Sequence, residues 1–295
     1  MSAKSDEGVE ICIISEERKS HKLVRWNQEK NCNLNILLSK PNQFYFALHE
    51  KFIIIDKKLV VFGTFNLSDV SLNQNVEMYF ESDNQRILKE VLKQFNFIKQ
   101  VTEKNNQAYT PYHYAINKKS QYNFEKDNSK ILFSNNYNML DILSSLVLNA
   151  KFNITIFASH SISKEIFSLL NRVDKNQVTM NIFVDYSALK NSDFSLRFYK
   201  SIRYIKTKGK MHIKAILIDD DKYLVGSLNL FKRSLYKDQE YILIGNEGKL
   251  NEDIRAALKV VSESSSNLSL KDYILIQLRQ TKKLLSKIKR RLPTI

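Results

Sequence analysis

One stretch of this chain occurs twice. The segment beginning at Leu48, LHEKFIIIDKKLVVFGTFNLSDVSLNQNVEMYFES, lies without a gap on the segment beginning at Met211, MHIKAILIDDDKYLVGSLNLFKRSLYKDQEYILIG. His49 meets His212, Lys51 meets Lys214, Asp56 meets Asp219, Gly63 meets Gly226, Asn66 meets Asn229 and Glu77 meets Glu240; Ile53, Ile55, Leu67, Ser71 and Leu72 recur at the same offset. A long internal repeat points to two similar supersecondary units, and 295 residues leave room for two lobes, each with its own core.

Both copies have the same coarse form. A β-rich run (52–55; 215–218) meets a polar turn at the Asp, and a second run (59–62; 223–225) ends at the Gly. This predicts a hairpin, followed by a loop that carries the Asn and a third strand (76–81; 240–244). Residues 86–100 place Ile87, Leu88, Val91, Leu92, Phe95 and Ile98 at helical spacing, which predicts an amphipathic helix over the sheet. Residues 101–130 are polar and aperiodic and read as the interlobe connection. Beyond them a helix (139–148), a strand (152–158), a helix (164–172) and a strand (178–184) lead into the second copy, a βαβ progression. Ahead of the first copy only residues 9–14 read as a strand. A helix, a strand and the next helix are therefore expected to be missing from the first lobe. The expected architecture is α/β with mixed α+β character. It comprises a first lobe over 1–100, incomplete at its start, a connection over 101–130, a second lobe over 131–250 and a helical C-terminal region over 251–295.

Only six glycines occur, and neither a G-x-G-x-x-G nor a G-x-x-x-x-G-K-[ST] run is present, so the usual backbone cradles for dinucleotide and nucleotide phosphates are lacking. The formal charge of +15 nonetheless favours an anionic partner: nucleic acid, an acidic membrane surface or a phosphate-bearing substrate. Cys12 and Cys32 have neither metal-site nor redox spacing, and the expected compartment is reducing. No signal-like N-terminus and no run of membrane-spanning length is visible, so a cytoplasmic or peripheral membrane location is expected.

The chemistry is concentrated in the repeat. On a strand, residues two apart share a face, so His49 and Lys51 point together, as do His212 and Lys214. An ammonium neutralises phosphate oxygens, and an imidazole beside it can act as nucleophile, acid or base. Asn66 and Asn229 can donate amide N–H groups to the same oxygens, and Glu77 and Glu240 can accept the second ring N–H of a histidine and fix its tautomer. One H-x-K-x4-D match arises by chance roughly 0.03 times in such a chain, so two copies with common Gly, Asn and Glu offsets are no accident. Asp56 and Asp219 belong to the motif, yet Asp also favours turns, and a supporting role ranks above direct chemistry. His21 reads as surface, His113 as part of an aromatic loop, and His160, just past a strand, as a residue that can border the cleft.

At these residues the chain resembles the phospholipase D superfamily, whose signature is two H-x-K-x4-D motifs, each followed by G-[ST]-x-N. His49-Lys51-Asp56 with Gly63-Thr64-Phe65-Asn66 matches, and His212-Lys214-Asp219 with Gly226-Ser227-Leu228-Asn229 matches more closely. The resemblance spans most of 9–247 and implies two α/β lobes about a pseudo-twofold axis with both His-Lys pairs in one cleft. It also implies a two-step reaction. One histidine, His49 by the family pattern, attacks phosphorus, and the other, His212, protonates the leaving oxygen and then deprotonates water or an alcohol. Lys51, Lys214, Asn66 and Asn229 hold the oxygens, with Thr64, Ser227, Glu77 and Glu240 in support, and neither metal nor cofactor is required.

Two motifs in one chain resemble the lipid enzymes more than the single-motif nucleases of the superfamily. The leading expectation is a phospholipid phosphodiesterase or phosphatidyltransferase; a nuclease with the same site, or an inactive truncated relative, are the alternatives. The short first lobe suggests exposed apolar surface covered by a partner or a second copy. Residues 271–295 hold eight Lys and Arg against one Asp, with Ile274, Leu278, Leu285, Ile288 and Leu292 on one helical stripe. Such a segment suits an anionic membrane surface or nucleic acid.

Overall fold

The computed structural model describes residues 2–32, 34–40, 47–104, 129–173, 177–192, 196–246 and 248–278. Most of the expected interlobe connection, including His113, and the last part of the basic tail lie outside them. The first lobe opens with α1 (Ser2–Asp6), then β1 (Ile11–Glu16), α2 (His21–Glu29) and β2 (Leu34–Ser39). β1 and β2 pair in parallel, so α2 is the crossover of a βαβ unit. The repeat follows as β3 (Phe52–Ile55), β4 (Leu59–Gly63), α3 (Asp69–Asn73) and β5 (Tyr79–Ser82), an antiparallel three-stranded sheet ordered β3-β4-β5. α4 (Gln85–Glu103) closes the lobe. Its start is capped by the Asn84 side chain, which accepts from the Arg86 and Ile87 amides.

The second lobe is built on one sheet of eight strands. In chain order these are β6 (Ser129–Phe133), β7 (Asn153–Ala158), β8 (Thr179–Asp185), β9 (Ile202–Ile205), β10 (Lys214–Ile218), β11 (Lys222–Gly226), β12 (Tyr241–Gly245) and β13 (Ser266–Asn267). In space they run β13-β9-β8-β7-β10-β11-β12-β6. α5 (Met139–Leu148), α6 (Lys164–Asn171), α7 (Lys232–Tyr236) and α8 (Gly248–Glu263) complete it. Two cores follow from two sheet faces. On one, Ile154, Ile156, Ile182, Ile216 and Ile242 pack under α5 and α6. On the other, Tyr223, Val225, Tyr241 and Leu243 meet Val60, Phe62 and Met78 of the first lobe together with Ile87, Leu88 and Val91 of α4. The lobes thus share a core rather than touching at an edge.

The unit β1-α2-β2 is the counterpart of β7-α6-β8, so the expected loss of this helix from the first lobe is corrected, and β2 is a strand that the pattern did not reveal. Its signal is weak: α2 has no buried residue, and β2 is short. Ahead of β1 the short α1 takes, in chain order, the place that α5 takes ahead of β7, and no counterpart of β6 occurs among the described residues there. The repeated strands feel the difference. β10 lies between β7 and β11 and is buried along its whole length, whereas β3, among the described residues, pairs only with β4 and alternates, leaving Ile53 and Ile55 exposed.

The recurring Asp and Gly have separate backbone causes. Asp56 and Asp219 adopt φ of 52° and 51° at the hairpin turn, a left-handed conformation that Asp tolerates better than most residues. Gly63 and Gly226 are not turn residues: they end β4 and β11 where the next strand passes close. A Cβ at Gly63 would lie 2.2 Å from the Met78 carbonyl oxygen, and one at Gly226 2.4 Å from that of Tyr241.

Candidate active site

The two copies meet through their histidines. The His49 amide donates to the Gln239 carbonyl at 2.9 Å, and the His212 amide donates to the Val76 carbonyl at 2.8 Å. Leu48 with Gln239 and Val76 with Met211 form isolated parallel bridges, each the image of the other under the repeat. The chain therefore carries a local twofold axis, and the segment that presents each imidazole is held by the opposite lobe.

The side chains cross in the same way. His49 Nδ1 lies 2.9 Å from Glu240 Oε2, and His212 Nδ1 lies 2.8 Å from Glu77 Oε1. A carboxylate there accepts the Nδ1 proton and leaves Nε2 as the working nitrogen of each ring. Each glutamate is fixed in turn by two hydroxyls: Thr64 (2.8 Å) and Ser71 donate to Glu77, and Ser227 (2.5 Å) and Ser234 donate to Glu240. Thr64 and Ser227 thus serve the glutamates rather than face a phosphate. Ser71 and Ser234 are site residues to which the sequence reading gave no role, although their recurrence at the repeat offset was the signal.

Lys214 Nζ donates to the His212 carbonyl at 2.7 Å and stands 3.3 Å from His212 Nε2. Lys51 Nζ donates to the His49 carbonyl in the equivalent way. Both ammonium groups are buried, and burial pulls Lys51 down to about 8 and Lys214 well below the ordinary lysine value. The Tyr241 hydroxyl ties the centre together, donating to the Gly63 carbonyl at 2.6 Å with the Lys51 carbonyl 3.2 Å away.

The site is not symmetric in its electrostatics. Burial and the Lys51 charge hold His49 well below 6.5. Burial also lowers His212, but the bond and charge of Glu77 work against that. Burial drives Glu240 up to about 7. Burial also acts to raise Glu77, yet the bonds from His212, Ser71 and Thr64 together take it below the ordinary range. His212 therefore faces the stronger anion. Asn229 is buried, and its Oδ1 accepts from Ser159 at 3.0 Å, whereas Asn66 is exposed. His160 borders the cleft: its ring sits edge-on to His212, 5.7 Å between centroids, and burial drops it to about 3, so it is neutral.

Asp56 and Asp219 do not join this cluster. Asp219 lies past the far end of β10 from Lys214, about 16 Å along the strand, and further still from His212. There its carboxylate accepts from the amides of Lys151, Phe152 and Asn153 at 3.1, 2.7 and 3.1 Å and anchors the start of β7. This geometry corrects the placing of Asp219 with the catalytic set, since its carboxylate is engaged by the backbone at the start of β7, and Asp56 stands at the equivalent turn of the first hairpin, away from His49 and Lys51. Among the described residues no group of His, Cys, Asp and Glu is arranged to hold a metal ion, and no helix is long and apolar enough to cross a membrane.

Comparison with known proteins agrees with this picture. The family described as "Cardiolipin synthase, PLD-like domain" matches residues 1–99 and 143–261. The minor cardiolipin synthase ClsB of Bacillus subtilis (strain 168) is 22% identical over 294 residues, covering 92% of this chain and 73% of that protein. Among solved structures, phosphatidylserine synthase of Haemophilus influenzae superposes with a TM-score of 0.72 at 13% identity, covering 98% of this chain and 83% of that one. Polyphosphate kinase of Porphyromonas gingivalis superposes with a TM-score of 0.59 at 12% identity, covering 96% of this chain and 46% of the kinase. The fold by itself is therefore compatible with more than one phosphoryl chemistry. With a family match over both lobes and both motifs gathered in one cleft, this chain belongs to the phospholipase D superfamily, in the family of cardiolipin synthase PLD-like domains.

Proposed function

We propose that the chain is a phosphatidyltransferase that breaks and remakes a phospholipid phosphodiester through a phosphohistidine on His49. The observation that carries this reading is the pair of imidazoles, each held at Nδ1 by a glutamate of the opposite lobe, with a buried lysine beside each. In the first step His49 Nε2 forms a bond to phosphorus, the bond to the leaving alcohol oxygen breaks, and that oxygen takes the Nε2 proton of His212. In the second step the incoming hydroxyl gives its proton back to His212 Nε2 and attacks phosphorus, and the bond to His49 breaks.

The assignment follows the electrostatics. A nucleophile must be neutral, which suits His49 beside a weakly charged Glu240; an acid must hold a proton, which suits His212 beside an ionised Glu77. Lys51, Lys214 and the amide of Asn229 stabilise charge on the phosphoryl oxygens. Transfer to an alcohol is favoured over hydrolysis because relatives found by sequence and by structure are both named as synthases; water in place of the alcohol gives hydrolysis by the same steps.

The test is turnover of phosphatidylglycerol or phosphatidylcholine vesicles by the purified protein in the presence of EDTA and a polyol acceptor. A new phosphatidyl product, together with a denaturation-resistant, acid-labile phosphoryl-enzyme that His49→Asn abolishes, is expected. Cleavage of single-stranded DNA with no lipid turnover identifies a nuclease instead, and no turnover of either identifies an inactive relative.

A further inference from the structure

The repeat supplies an internal control for what is normally buried. In the second lobe Leu230 and Leu235, flanking and within α7, are 5% and 4% exposed and pack in the core beneath α5. Their images in the first lobe, Leu67 and Leu72, are 61% and 64% exposed, and Val70 between them is 52% exposed. Three aliphatic side chains thus face solvent within six residues, on a segment that starts next to Asn66 and whose Ser71 holds the site carboxylate Glu77.

This apolar ridge is stitched to a basic loop. Residues 206–210 read Lys-Thr-Lys-Gly-Lys and end two positions before His212. A Cβ on Gly209 would come within 2.4 Å of the Gln74 carbonyl oxygen, so only glycine lets the loop lie against the end of α3. The Lys210 amide donates to Asn75 Oδ1 at 3.0 Å, and the Val76 amide to the Lys210 carbonyl at 2.8 Å. Lys206 lies over the ring of Tyr186, 5.5 Å from its centroid, and Tyr186 is itself 52% exposed. Aliphatic tips, a half-exposed tyrosine and three lysines share one rim, where Asp69 is the one acid of residues 66–75. That combination suits a bilayer interface: apolar side chains enter the acyl boundary, tyrosine sits at headgroup depth and lysines meet anionic lipid.

The cleft gives this rim a purpose. The His212 side chain is only 6% exposed, so a phosphodiester in a bilayer cannot reach it unless the surrounding protein surface sits down on the membrane. Resting on the phospholipid reading above, we infer that residues 67–72 and the 206–210 loop form an interfacial docking rim that seats the cleft on an anionic bilayer.

The test compares wild type with L67S/V70S/L72S and with K206Q/K208Q. Cosedimentation with phosphatidylglycerol and with phosphatidylcholine vesicles reads binding, turnover of soluble bis(p-nitrophenyl) phosphate reads the cleft, and urea midpoints read the fold. The aliphatic variant is expected to lose vesicle binding by about 10- to 100-fold while keeping its urea midpoint and its soluble turnover. The lysine variant is expected to lose the preference for phosphatidylglycerol. Unchanged vesicle binding in the aliphatic variant, an equal loss of soluble turnover, or a wild-type dimer that the aliphatic variant dissociates overturns the inference, the last because a second copy is then the occupant. Failure of the underlying reading looks different: wild type binds vesicles through this rim but turns over no phospholipid, even in mixed detergent micelles.

Discussion

Each imidazole in the cleft has one nitrogen committed to a glutamate and one left for chemistry, and the two glutamates differ in how firmly they hold charge. This sets expectations for single substitutions. Replacing His49 or His212 with Asn lowers kcat by about 10³-fold or more in either case, with the phosphoryl-enzyme lost in His49→Asn; steady-state turnover and acid-quench labelling check this. The pH dependence of kcat/KM follows from the directions of shift. Under the proposed mechanism His49 works neutral and is held well below 6.5, while His212 works protonated and is lowered less, so activity is expected to peak on the acid side of neutrality and to fall as pH rises through the His212 value. Glu77 raises His212, so Glu77→Gln moves the alkaline limb to lower pH, and a pH-rate profile on a soluble diester reads the displacement. An unmoved limb would show that His212 is not the acid.

At the level of strands and turns, two parts of the motif are there for the backbone. Gly226 permits β11 and β12 to close on each other, and a methyl group collides with the Tyr241 carbonyl, so Gly226→Ala costs about 1–3 kcal/mol, seen as a lower urea midpoint. Asp219 accepts from three amides, and these bonds hold its carboxyl below 3.8 although burial acts to raise it. A group depressed in the folded state adds stability that is complete above its unfolded value and is lost as pH falls through its folded value. Asp219→Asn therefore destabilises by about 1–3 kcal/mol at neutral pH, and the difference from wild type shrinks below about pH 4. Stability is expected to suffer more than kcat, which separates an anchoring carboxylate from a reacting one. The hairpins were legible in sequence because the repeat doubled every signal: His, Lys, Asp, Gly, Asn and Glu each appeared twice in register. α2 and β2 were not legible, since HKLVRWNQE is short, carries only three large apolar residues, Leu23, Val24 and Trp26, on its half-buried side, and buries none of them fully. Short elements such as β9 and the helical turns at Tyr186–Asn191 and Leu196–Ser201 offered no period either.

For the molecule as a whole, sequence could place both His-Lys pairs in a common cleft only through a family resemblance; nothing in spacing alone states that Glu77 serves His212 and Glu240 serves His49. That crossing is a property of how the lobes dock, which depends on a face shared by Phe62, Phe133 and Tyr241, whose rings meet at centroid distances of 6.1 and 6.2 Å. Residues 129–278 expressed alone are expected to expose this face, bind ANS and lack all turnover; a well-folded fragment retaining activity would contradict the shared core.

The crossed glutamates also bear on how such a chain can change over time. Two copies of a unit within one gene ordinarily leave one free to drift while the other keeps the activity. Here damage to Glu77 is felt at His212 and damage to Glu240 at His49, so an error in either half disables a residue of the other. The duplication provides no spare: each half holds the histidine that its neighbour presents, and the two copies differ most visibly on surfaces outside the cleft, such as the ridge where one half buries its leucines and the other displays them.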